Sequence, residues 1–358
     1  MAASGVQIFV QLGTIPDFAV HFIRQARQVN PHYRTVLVTD QCATRMPNGI
    51  EVVHVDQVVS KAEILQLTNA LRSSQYDPKW RKGYWLRVFM RFLILRNYSA
   101  SLQEMIRVIH FESDVASYAT RPILEESFSS MRAPCAMPFI DESNACPGIV
   151  LAASPQAMSE LAGVVIDDIL SGSGRSDMES LAQAQGAGLL EAMPTKAENA
   201  WTAMMVQPLL GAGPHQTPER ARVIFDAAAV GQYLFGADPR NNGGVLVPGY
   251  REPRGGMDPG DWSHWGLAVC EDGITRVTFT DEGQLSVLAN LHVHAKTVIP
   301  KPSGNCPNWT KWLDVANGVA PPRRTIVMGP FARHLAPEAI RKSRRALRRL
   351  HNRAFGRG

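Results

Sequence analysis

Glu112-Ser113-Asp114 stands at the end of the largely apolar run Ile106 to Phe111. Two carboxylates two residues apart, where a strand gives way to a loop, can both reach one divalent cation. In open α/β sheets ligands bind beyond the carboxyl ends of the strands. A hard cation held by one or two carboxylates keeps positions for phosphate oxygens, the usual way of handling a nucleoside diphosphate. Asp and Ser are also ordinary turn residues, so a solvated strand-to-loop junction is the competing account.

Three further groups carry chemistry in their spacing. In Leu291 to Lys296 alternation puts His292, His294 and Lys296 on one face, with Leu291, Val293 and Ala295 on the other. Two imidazoles and an ammonium could supply a metal ligand and a phosphate counter-charge; a half-exposed antiparallel strand is the plainer account. Arg87 and Arg91 share one face of the apolar helix expected over Leu86 to Asn97. An arginine on a buried helix must find an anion, either a diphosphate or a carboxylate. Asp177 and Glu179 follow the Gly/Ser loop 171–176 and are candidates for a general base, although helix capping alone explains Asp177. Asp141 and Glu142 form a second carboxylate pair with a similar claim.

The elements that must position these groups follow a strand–helix rhythm. Val6 to Leu12 is the first strand, and Pro16 opens a helix in which Val20, Ile23, Ala26 and Val29 recur at helical spacing. Thr35 to Thr39 ends at Asp40, Ile50 to Val55 is a third strand, and a helix lies near Gln57 to Leu71. Short links between these elements predict a mainly parallel, doubly wound Rossmann-like sheet with flanking helices. A strand pair is expected within 133–153, a helix from Met178 capped by Asp177, and an Ala-rich helix opening at Phe225-Asp226. Residues 245–263 are expected to form a long loop. Leu267 to Val287 reads as a small antiparallel extension with turns at Asp272-Gly273 and Glu282-Gly283.

At 358 residues the chain is long enough for one large α/β domain or two smaller ones. Its five cysteines are scattered without a CxxC spacing, which points to neither a zinc knuckle nor a disulfide framework. No apolar run reaches the roughly 18 residues of a spanning helix, and residues 1–5 have no signal-peptide character. A cytoplasmic setting is the expectation. The net charge of +5 is concentrated at one end: Pro337 to Gly358 holds eight Lys or Arg against Glu338, leaving the rest slightly acidic. Ile340, Leu347, Leu350 and Phe355 interleave with these arginines, as in a basic amphipathic helix lying on the inner face of an anionic membrane. Nucleic acid is the weaker partner, because no stacking platform or known motif accompanies the charge.

A first strand and helix, a second strand ending in Thr39-Asp40, an arginine-bearing apolar helix, and a strand closing on acid-x-acid resemble, in that order, the GT-A-fold glycosyltransferases. The resemblance spans roughly residues 6 to 300. It implies transfer of a sugar from a nucleoside-diphosphate sugar to a hydroxyl acceptor, such as a saccharide or a lipid-linked one, with Mn²⁺ or Mg²⁺. The family motif is most often Asp-x-Asp; Glu112 departs from it, which shifts the ligand role toward Asp114. The late histidine the family supplies to the metal is matched by His292 or His294, and its donor-contacting residues by Gln11, Asp40, Arg87 and Lys296. Asp177 or Glu179 falls where an acid near the acceptor is expected. The implied organisation is a transferase domain over 1–300, with a nucleotide half to about 118 and an acceptor half over 119–300. An extension over 301–335 and the basic tail 336–358 follow. A nucleotidyltransferase is the rival enzyme, although Gln11-Leu12-Gly13-Thr14 makes a poor phosphate loop; a non-catalytic sugar-binding protein is the rival without chemistry.

Overall fold

Seven residues of near-uniform burial, Gly5–Gln11 (β1), form the axis of the first part of the chain. In the computed structural model, which describes residues 5–42, 46–103, 105–210, 218–231 and 263–293, the chain divides into two compact units. The first holds residues up to Ser117 and Leu124–Met193; the second holds Tyr118–Ile123 and described residues from Pro194 on.

In the first unit β1 is followed by α1 (Asp17–Val29), β2 (Tyr33–Thr39), β3 (Ile50–His54), α2 (Lys61–Arg72), α3 (Tyr84–Ser101) and β4 (Arg107–Phe111). Then come β5 (Val115–Ser117), α4 (Arg121–Ser130), whose first turn belongs to the second unit, β6 (Cys135–Met137), β7 (Phe139–Asp141), β8 (Asn144–Ala145) and β9 (Ile149–Ala152). The unit closes with α5 (Pro155–Ser171), α6 (Asp177–Gly186) and β10 (Leu190–Ala192).

Seven strands pair in the order β10-β6-β9-β4-β1-β2-β3. The pairs β1–β2, β2–β3, β1–β4 and β6–β10 are parallel, and β9 runs antiparallel to both its neighbours. This bears out the mainly parallel sheet and the strand pair within 133–153. The chain runs outward from β1 through β2 and β3, then returns to place β4 on the other side of β1. That reversal makes the β1/β4 border the switch point where such sheets leave a crevice.

Alternation along the strands explains the two helical layers. Val6, Ile8 and Val10 of β1 and Val108 of β4 pack with Phe89, Phe92 and Leu93 of α3 and with Leu161 and Val165 of α5. On the opposite face Phe9 stacks on Phe111 with ring centroids 5.5 Å apart, and the buried Gln7 amide donates to Ala26 O of α1. Burying these β-branched and aromatic side chains on both faces is the main stabilising contribution, each worth about 1.5–3 kcal/mol.

The second unit contains β11 (Thr202–Leu210), β12 (Glu219–Ile224), β13 (Ser263–Cys270), β14 (Thr275–Asp281), β15 (Gln284–Leu288) and β16 (Asn290–His292). The strands expected within Leu267 to Val287 are present with both turns. They complete a closed barrel, β11-β12-β15-β14-β13, in which β12 and β15 are parallel. Inside this unit Arg276 is fully buried, bonded twice to Asp272 and also to Tyr118 O, and Thr120 Oγ1 donates to the same carboxylate.

Two local expectations are corrected. Ser176, not Asp177, caps α6: its hydroxyl accepts from Glu179 N while the Glu179 carboxylate accepts from Ser176 N and Oγ, a Ser-x-x-Glu capping box. Residues 226–228 are not helical; Ala228 has φ 72°, and the Asp226 carboxylate takes the amides of Val230 and Gly231, so the helical turn opens at residue 229. The expected loop over 245–263 falls almost wholly outside the described residues, and the basic tail wholly so. No helix among the described residues is long and apolar enough to cross a membrane.

Candidate functional site

Parity along β4 decides where its acidic end points. Val108 faces the α3 layer, so His110 and Glu112 follow it, while Ile109, Phe111 and Ser113 follow the opposite face. Ser113 accordingly donates its hydroxyl to Gln11 Oε1, 2.6 Å away at the end of β1. This hydrogen bond ties the two strand ends flanking the switch point, and Glu112 N, bonded to Gly148 O, ties in the loop before β9.

Glu112 meets an arginine, but not the one singled out for an anion. Arg87 is exposed; its guanidinium donates to Lys82 O at 2.6 Å and lies beside Gly13, where φ is +75°. Its charge is therefore available at the carboxyl end of β1 and is not neutralised inside the helix layer. Gly13 N in turn donates to Asp40 Oδ1 at 2.7 Å, so Gln11, Asp40 and Arg87 converge on one edge of the sheet. Arg91, one turn further along α3, is the more enclosed of the two cations. It pairs through Nη1 with Glu112 Oε1 and through Nη2 with Asp177 Oδ2 at 3.0 Å. The three side chains keep only 13%, 17% and 10% of their surface exposed. A guanidinium is suited to this because its fork reaches two carboxylates at once.

Burial pushes the Asp177 carboxyl above its ordinary value, against the opposing pull of Arg91 and of two amides at the helix start. His110, enclosed on the same face, is driven down to about 3 by burial and by the Arg91 charge, and shares a hydrogen bond with Ile8 O. It is a neutral core histidine, and nothing in the sequence singled it out. Glu179, the other candidate base, is held by the Ser176 box.

In the second unit His292 is buried, and its main chain is fixed with unusual care. Asp226 Oδ2 accepts from His292 N and Gly231 N, while the Asn290 amide brackets Asp226. Gly231 approaches so closely that a Cβ there would lie 1.6 Å from His292 O. Burial raises the Asp226 carboxyl above its ordinary value, against three main-chain amides. Asp226 and Gly231 were not foreseen as supports for this histidine. His294 and Lys296 lie outside the described residues.

In the first unit the carboxylates of Glu112 and Asp114 are ligand groups of a kind that could bind a metal ion. Oxygen donors of this kind suit Mg²⁺ and Mn²⁺. The donor chemistry fits, with Asp114 buried and Glu112 already shared with Arg91.

The sheet is mostly parallel with helices packed on it, and about half the chain aligns with several solved structures. Mouse xyloside xylosyltransferase 1 aligns at 10% identity over 53% of this chain and 85% of that one, with a TM-score of 0.35. The galactosyltransferase LgtC, solved with donor and acceptor sugar analogues, aligns at 7% identity over 52% and 73%, TM-score 0.34. GlyE of Streptococcus pneumoniae TIGR4 aligns at 12% identity over 53% and 45%, TM-score 0.33. No family model matches the sequence, and no curated protein does.

Proposed function

We propose that the chain is a metal-dependent glycosyltransferase that moves a sugar from a nucleoside-diphosphate sugar to a hydroxyl acceptor. The observation that carries this is the acidic end of β4 at the β1/β4 switch point, held against Gln11 on one face and Arg91 on the other. Asp114 would hold Mn²⁺ or Mg²⁺, with Glu112 restrained by Arg91. When bound, such a cation neutralises charge developing on a leaving diphosphate.

The chain's own residues supply the rest. Arg87, exposed beside Gly13, offers a guanidinium to the diphosphate at the end of β1, and Lys296 is the second candidate counter-charge. Gln11 and Asp40 border the same edge and would orient the nucleoside. If the anomeric centre inverts, a carboxylate must take the acceptor proton. Asp177 is the better of the two candidates, since burial raises its proton affinity, whereas Glu179 Oε2 takes both donors of the Ser176 cap.

A panel of nucleoside-diphosphate sugars, scored for nucleotide release with and without Mn²⁺, tests this. Mn²⁺-dependent release of nucleoside diphosphate that Asp114→Ala abolishes is the expected result. Release of pyrophosphate instead would point to nucleotidyl transfer, and indifference of donor binding to metal and to Asp114→Ala would refute the transferase reading.

A further inference from the structure

The loop between α5 and α6 has little of its own to hold it. Gly172 and Gly174 both sit in the left-handed region, at φ of 76° and 75°, with open space where a Cβ would be. Ser171, Gly172, Ser173 and Arg175 are exposed. Glycine and serine give such a segment many accessible conformations. Yet the loop delivers Asp177, which is buried and paired with Arg91. A base that takes a proton in a transition state must be held within about 0.5 Å of its productive geometry, so a loop this loose needs an anchor from outside it.

That anchor comes from the segment after α2. The Tyr76 hydroxyl donates to Gly174 O at 3.2 Å, and the Gln75 amide donates to the same oxygen. The Gln75 amide also donates to the Tyr76 oxygen at 3.2 Å, bracing the phenol. The two side chains differ in support. Gln75 is exposed, whereas Tyr76 is buried with its ring 4.5 Å from that of Trp85 and 5.7 Å from that of Phe89, both on α3. Arg91 stands two residues beyond Phe89 on the same helix. One helix therefore supports both the hydroxyl that holds Gly174 and the guanidinium that holds Asp177. Burial, helped by the charges of Glu179 and Asp177, pushes the Tyr76 phenol up, so it stays protonated and able to donate. From the other side Asp168 of α5 accepts from Ser180 Oγ at 2.6 Å and from Arg175 Nη1 at 2.8 Å, which ties α6 back to α5.

We propose that Tyr76 is a positioning residue for Asp177: its hydroxyl, through Gly174 O, sets the start of α6 so that the carboxylate is presented to the acceptor proton. The inference rests on the transferase reading above, with Asp177 as base, and adds a residue to that machinery. Filling the core accounts for the Tyr76 ring but not for its hydroxyl, since phenylalanine would occupy the same space.

Tyr76→Phe tests this, because it keeps the ring and removes the donor. Amide hydrogen exchange of the full chain over residues 172–178 should speed about tenfold in Tyr76→Phe, and further in the double variant with Gln75→Ala, while α5 exchanges as in wild type. With a donor found by the nucleotide-release screen, kcat should fall about tenfold at unchanged donor KM. The loss runs through Asp177, so adding Tyr76→Phe to Asp177→Asn should cost no more than about twofold further. Unaltered exchange over 172–178, full activity in Asp177→Asn, or the same tenfold loss in both backgrounds overturns the proposal; the last would mark a general loosening of the fold. A wild-type chain that releases no nucleotide from any donor refutes the transferase reading first, and the role of Tyr76 with it.

Discussion

Replacing Arg91 with methionine tests whether the α3 guanidinium organises the acidic strand end. The substitution keeps the volume of the stem and removes one charge, leaving Glu112 and Asp177 without their shared partner at 17% and 10% exposure. Breaking a buried pair from one side costs about 3–5 kcal/mol, since a desolvated charge is left uncompensated. For a unit of this size, about 2–4 °C per kcal/mol, the melting temperature should fall on the order of 10 °C at pH 8. The pH dependence gives the sign. Asp177 has a folded-state pKa above its unfolded value, and losing Arg91 raises it further. A carboxyl raised in this way weakens the fold at pH above its folded pKa, and the loss is relieved as pH falls toward the unfolded value. The gap between variant and wild type should therefore narrow from pH 8 to pH 5, read by circular dichroism melts. Arg91→Lys should fall between the two, because one ammonium cannot fork to both carboxylates. A melting shift under 2 °C at pH 8, or a gap that widens in acid, refutes the argument.

Asp114→Asn should abolish Mn²⁺ binding by calorimetry, whereas Glu112→Gln should weaken it less, because Arg91 already holds one Glu112 oxygen; equal losses would make both carboxylates equal ligands. His110, whose pKa near 3 lies below its unfolded value of about 6.5, is neutral in the fold and must bind a proton on unfolding in acid. Its stability contribution is lost as pH falls below 6.5, so His110→Leu should flatten the decline of the urea midpoint between pH 6.5 and 5; an unaltered slope would show that other groups cause it. Gly231→Ala, whose Cβ would clash with His292 O, should cost about 2–4 kcal/mol in urea unfolding. A loss under 0.5 kcal/mol would show that the two segments part easily.

What was legible in the sequence was what depends on near neighbours. Alternation and apolar runs marked β1, β2, β4 and the β13–β15 meander, because side-chain period follows from backbone geometry alone. The capping box was also readable, Ser176 and Glu179 standing three apart, but the carboxylate between them drew the attention. Arg91 shows the limit more sharply. Its spacing from Arg87 put both on one helix face, yet which of them is buried depends on Asp177, 86 residues away, and on the handedness of the crossover to β4. Barrel closure was hidden for the same reason. The parallel pairing of β12 with β15 leaves no local mark, since an alternating strand looks the same in a hairpin and in a barrel.

The position of β1 has a consequence for how the protein is made. It leaves the ribosome before both its neighbours; β2 reaches it within about 30 residues, but its other neighbour is β4, Gly5 pairing with Arg107. At about 5–20 residues per second, β4 emerges some 5–20 s after β1. Throughout that interval one edge of β1 stays unpaired, and Arg91 waits on an apolar helix for Glu112, and longer still for Asp177. Such distant parallel pairing is slow and exposes the chain to association with other unfolded chains. The two strand ends that flank the switch point are thus joined late, and a nascent chain stalled before residue 107 would display a sticky half-sheet.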